Sequence, residues 1–68
     1  MDTFSIFISS KEYIVHPSEH GPAIHYIVKV GGKSVVFQPD ENGELVTTKK
    51  DEPVLYLQIA EAIHAHYA

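Results

Sequence analysis

The dipeptide Gly31-Gly32 constrains this chain more than any other feature. It separates residues 23–30 from residues 33–38, two segments rich in Val and Ile. Consecutive glycines supply the positive φ that both central positions of a type I′ turn require, so a two-residue hairpin follows. The turn sets the register. Val30 faces Lys33, Val28 faces Val35 and Tyr26 faces Phe37 on one side of the sheet, while Ile27 faces Val36, Lys29 faces Ser34 and His25 faces Gln38 on the other.

Similar reasoning extends the sheet in both directions. Residues 3–9 place Phe4, Ile6 and Ile8 on one face and Phe7 on the other, and a turn at Ser10-Lys11 leads into residues 13–16. That turn predicts Ile8 facing Tyr13, Ile6 facing Val15 and Phe7 facing Ile14. Pro17 and Gly21-Pro22 mark residues 16–22 as a connection rather than a strand. After residue 38, a polar turn rich in Asp40, Glu41, Asn42 and Gly43 precedes a short fifth strand. A two- or four-residue loop there puts Val46 on the side of Phe37 and Leu45 on the opposite side; a three-residue loop would reverse them.

The final third changes period. Leu55, Tyr56, Ile59, Ala60, Ile63 and Tyr67 share one arc at 100° per residue, with Gln58, Glu61 and Ala65 opposite. Asp51 followed by Glu52 and Pro53 reads as a helix start, with Asp51 as the cap. Val54 and Leu57 fall off the main arc and are expected to pack on the preceding loop. Of fourteen Val and Ile residues, eleven lie before residue 50, so strands come first and the helix last. The expected architecture is α+β: a single domain, residues 1–68, with a five-stranded antiparallel meander and one C-terminal helix on one face. The helix-facing side is built from Phe4, Ile6, Ile8, Tyr13, Val15, Ile24, Tyr26, Val28, Val35, Phe37 and Val46.

One helix covers one side of a sheet. The other side is then expected to carry Phe7, Ile14, Ile27, Val36 and Leu45, one apolar residue per strand, where a solvated antiparallel face is normally polar. Ser5, Ser9, His25, Lys29, Ser34 and Thr47 interrupt this set, and the preference of strands for β-branched residues accounts for part of it. The remainder reads as a contact surface for a second copy of the chain or another protein. A chain of 68 residues buries a smaller share of its surface than a larger domain does, which makes association favourable.

Composition narrows the function classes. The chain has no cysteine, which removes disulfides, thiolate metal sites and Cys nucleophiles and points to a cytoplasmic setting. Its apolar runs are far shorter than a membrane span, and Asp2 stands where a signal peptide carries positive charge. Net charge is −4, with five Lys and no Arg, a poor basis for gripping phosphates.

The chemistry-bearing residues have structural readings. His64 and His66 sit about 200° apart on a helix and do not converge on one metal; near a C-terminus, cationic side chains suit the helix carbonyls. His16, His20 and His25 flank the Pro/Gly connection, and nothing in their spacing demands a metal. Asp40, Glu41 and Glu44 belong to a polar turn. Gly31-Gly32-Lys33-Ser34 lacks the upstream glycine and following helix of a phosphate-binding loop. No catalytic motif and no cofactor site emerges, and the expectation is a non-catalytic chain.

The ending QIAEAIHAHYA, residues 58–68, resembles the C-terminal helix of short uncharacterised bacterial proteins, chiefly of the Bacteroidetes type. That resemblance covers these residues and the strands-then-helix order, and it implies no function. The layout also resembles the PUR and PC4-like single-strand nucleic-acid binders, which read bases across a sheet with basic and aromatic residues. Here that face offers Phe7, His25 and Lys29 without arginine. The leading expectation is thus a protein-interaction module, self-associating as a homodimer through the helix-free face or an edge strand. The alternatives are a weak single-strand nucleic-acid binder and a histidine-based metal or pH-responsive regulator.

Overall fold

The Gly31-Gly32 hairpin forms in the expected register in the computed structural model, which describes residues 2–68. Both glycines have positive φ, at 56° and 83°. Around this hairpin the chain builds β1 (Phe4–Ile8), β2 (Lys11–His20), β3 (Ala23–Val30), β4 (Lys33–Pro39) and β5 (Leu45–Val46), followed by α1 (Pro53–Tyr67). The strands pair antiparallel in chain order. The helix lies on one face and touches both outer strands, β1 and β5, so the sheet curls around it.

The core is the surface between sheet and helix. Ile6, Tyr13, Val15, Val28, Val30, Val35 and Phe37 from the sheet are buried against Tyr56, Ile59, Ala60 and Ile63 of the helix. Phe4, Ile8, Tyr26, Leu45, Leu55 and Ala62 pack around its margin. Phe37 meets Tyr56 edge-on, and at the far end Phe4 stacks on His66 with ring centres 3.7 Å apart. His64 and His66 lie in the last helical turn, where the carbonyl ends favour partial positive charge.

Five local expectations are corrected. The β1–β2 turn falls at Ser9-Ser10, not Ser10-Lys11, with φ of 52° and 67° at two non-glycine residues. Its two-residue loop pairs Ile8 with Lys11, Phe7 with Glu12, Ile6 with Tyr13 and Ser5 with Ile14. The shift is even, so every side chain keeps its expected face.

The connection expected over residues 16–22 is strand almost throughout. β2 continues to His20, and only Gly21-Pro22 turns, with Gly21 at φ 63°. A positive-φ glycine followed by proline fits a type II′ turn. Pro17 is tolerated because pairs alternate between hydrogen-bonded and non-bonded along a hairpin. Counted back from His20–Ala23, the Pro17–Tyr26 pair is non-bonded. Its nitrogen therefore points away from β3, on the side where β1 has already ended.

The β4–β5 loop spans residues 40–44, an odd number, so the parity of the last strand is reversed. Pro39 pairs with Leu45 and Gln38 with Val46. Leu45 consequently joins the core margin and Val46 faces outward. Asp40 imposes the odd loop: its carboxylate accepts the Asn42 and Glu44 amides, both at 2.9 Å, and its own amide donates to the Glu44 carbonyl at 2.8 Å.

The helix begins at Pro53, and neither Asp51 nor Glu52 caps it through a side chain. Val54 and Leu57 remain largely exposed instead of packing on the preceding loop.

Candidate interaction surface

The register decides what the helix-free face presents. β1 contributes Ser5 and Phe7, β2 contributes Glu12, Ile14, His16, Ser18 and His20, and β3 contributes His25, Ile27 and Lys29. β4 adds Ser34, Val36 and Gln38, and β5 adds Val46. Ile27 lies directly across from Val36, and Phe7, Ile14 and Val46 each sit one diagonal step from the next apolar residue. Diagonal neighbours in a sheet are about 7–8 Å apart, within reach of these side chains. The five therefore form an oblique band running from one edge strand to the other.

The band is accessible to solvent. Phe7 is 68% exposed, Ile14 36%, Val36 41% and Val46 43%, with Ile27 half-buried at the centre. Four of the five residues expected on this face, Phe7, Ile14, Ile27 and Val36, are there together. Leu45 is not; the odd loop turned it inward and brought Val46 out in its place. The signal for this was Asp40, whose short carboxylate suits closing a loop on backbone amides two and four residues on.

Polar groups frame the band. Ser5 donates to Glu12 at 2.7 Å across the Phe7–Ile14 step, and Glu12, Lys29 and Ser34 line one flank. On the other, Thr3 and His16 share a hydrogen bond of 3.2 Å, and Ser18 and His20 share one of 3.3 Å. His20 stacks on His25 with ring centres 4.2 Å apart. This pairing of histidines depends on β2 continuing past Pro17. The alternation of His16, Ser18 and His20 carried that information, and the proline masked it. No group of three or more metal-binding side chains converges among the described residues.

A second polar cluster sits at the start of the helix. Asp51 forms an ion pair with Lys33, from the end of the glycine turn, and accepts a hydrogen bond from the Tyr56 hydroxyl at 3.0 Å. The hydrogen bond from Lys33, aided by that from Tyr56, holds the Asp51 carboxyl below its ordinary range. The same bond raises Lys33. Tyr56 is raised chiefly by loss of solvent, then by its bond to the negatively charged Asp51. These shifts tie helix to hairpin and do not converge on an enclosed space.

Two open clefts flank the helix. One, of about 380 Å³, lies among Ile24, Tyr26, Ile63, His64 and Tyr67. Burial beside Tyr26 pushes the Tyr67 hydroxyl up. The other, of about 440 Å³, opens between β5 and the helix start and is lined by Val46, Leu57, Lys49 and Lys50. Through Val46 and Leu57 it continues the oblique band around the β5 edge. Among the described residues, no helix is long and apolar enough to cross a membrane. Comparisons with protein-family models, curated proteins and solved structures gave no match.

Proposed function

We propose that this chain is a non-catalytic interaction module whose helix-free sheet face docks a second copy of itself. The observation that carries the reading is the oblique band of Phe7, Ile14, Ile27, Val36 and Val46, crossed once by the Ser5–Glu12 bond and solvent-facing where an antiparallel sheet is ordinarily polar. An isologous contact requires a patch complementary to itself, and a narrow apolar band with polar flanks meets that requirement.

The face is small. Within extents of 32 × 25 × 23 Å it offers an area at the low end of specific interfaces, so association through it depends on concentration. The perturbed groups elsewhere support a non-catalytic reading, because Asp51, Lys33 and Tyr56 satisfy one another at the seam between helix and hairpin.

Light scattering across a concentration series tests the proposal. The expected result is an average mass that rises above 7.6 kDa with concentration, and a lower average mass at each concentration in Val36→Lys or Ile27→Lys. Lysine at these positions adds a charge to the band while leaving the core between sheet and helix untouched. Association unchanged by both substitutions would overturn the face as the contact.

A further inference from the structure

The sheet has two edges and two overhangs, β2 beyond β1 and residues 33–37 of β4 beyond β5, and they differ in how they are protected. The β5 edge is two residues long and is followed by Thr47, Thr48, Lys49 and Lys50, a short and charged border. The end of β2 that projects beyond β1 carries Pro17, whose ring replaces an outward N–H, and Glu19. β1 has neither device. Residues 3–10, TFSIFISS, contain no charge and no proline, and β1 pairs with β2 without a bulge. No described strand pairs with its outer side.

The positions of its free backbone groups follow from the turn. Ile8–Lys11 closes a two-residue hairpin and is a hydrogen-bonded pair, as are Ile6–Tyr13 and Phe4–Val15 by alternation. Ser5 and Phe7 therefore direct their N–H and C=O groups outward, with Thr3 next in the same phase. An open strand edge of this kind is a template for pairing with another strand.

We infer that β1 pairs antiparallel with β1 of a second copy, with Ser5 on the two-fold axis. This register sets Ser5 against Ser5 and Phe7 against Thr3 of the other copy, twice over. It satisfies the outward groups of all three residues in each chain. Any other in-phase register satisfies fewer. Because β1 pairs with β1 about a two-fold axis, the contact consumes that edge in both copies and closes as a pair, with both β5 edges at the ends. The two-fold stands perpendicular to the sheet, so both helices lie on one side and both oblique bands on the other. The paired molecule presents a doubled version of the face described above, yet the contact itself is made by backbone rather than by that face's side chains.

The test separates the two contacts. Ser5→Pro deletes an outward N–H and the hydroxyl bond to Glu12 but no backbone bond to β2, and Val36→Lys disables the face. In the Val36→Lys background, light scattering at millimolar concentration is expected to give twice 7.6 kDa. Adding Ser5→Pro should return it to 7.6 kDa with an unchanged circular dichroism spectrum. Hydrogen exchange on the native sequence supplies an independent readout that does not depend on the variant folding. The Ser5 and Phe7 amides should slow by about tenfold or more between dilute and concentrated samples, while Phe4 and Ile6, already bonded to β2, stay protected in both. Free exchange of Ser5 and Phe7 at every concentration overturns the inference. So does a Val36→Lys protein that is monomeric throughout; a dimer lost in Val36→Lys and kept in Ser5→Pro leaves the face standing and the edge refuted.

Discussion

Asp51 accepts hydrogen bonds from groups of two different elements, Lys33 of β4 and Tyr56 of α1. Its lowered pKa means the folded state holds the carboxylate more tightly deprotonated than the unfolded chain does. The stabilisation is present above the ordinary value near 3.9 and disappears as pH falls through the folded value. Lys33 and Tyr56 are both raised, so their contributions are present below their ordinary values near 10 and are lost as pH climbs through the folded ones. The tie is whole across the neutral range and loosens at both ends. Asp51→Asn should therefore lower the melting temperature modestly across the neutral range, with the gap from the native sequence closing as pH falls through the lowered folded value of Asp51. A gap that stays constant with pH would show that the carboxylate's charge is not what holds the seam. Ile59 has no such dependence. It is completely buried at the centre of the core, and Ile59→Ala should cost about 2–5 kcal/mol at any pH. For a chain this short, total stability is on the order of 3–10 kcal/mol, so denaturant titration should find this variant partly unfolded in water.

At the scale of elements, the turns decided what could be read in advance. Two glycines at positions 31 and 32 announce their geometry, and β3 and β4 follow in the expected register. Ser9-Ser10 adopts the same left-handed backbone without glycine, so composition gave no sign that the turn sat there rather than one residue later. Left-handed backbone is costly for residues with a Cβ. Ser10→Gly is accordingly expected to stabilise the protein by about 0.5–1 kcal/mol, measured by chemical denaturation, after allowing for the greater freedom of glycine in the unfolded chain. No gain would mean that the serine pair is held at no cost. Gly21-Pro22 was legible as a turn but not as the tight end of a hairpin, because Pro17 suggests a broken strand. Its compatibility depends on which side its nitrogen faces, a property of pairing phase rather than of the residue. Leu45 and Val46 exchanged faces for a comparable reason. Both are good strand residues, and only the count of loop residues closed by Asp40 assigns one to the core and the other to solvent.

For the whole molecule, one sheet, one helix and a single seam leave two surfaces without a partner: the oblique band and the β1 edge. Each by itself is small, and each is proposed to take a second copy of the chain. Association that favours the folded chain raises its stability by mass action. For a dimer above its dissociation constant, each tenfold increase in concentration adds about 0.7 kcal/mol per chain, which for a domain of this size raises the melting temperature by about 3–5 °C. Calorimetry of the native sequence from micromolar to millimolar concentration should show this rise. The doubly substituted Ser5→Pro, Val36→Lys protein should melt at one temperature throughout, because neither surface remains to couple folding to a second copy. A melting temperature of the native sequence that ignores concentration would remove self-association altogether. The exposed band would then belong to a chain whose strands carry Val, Ile and Phe for backbone preference alone.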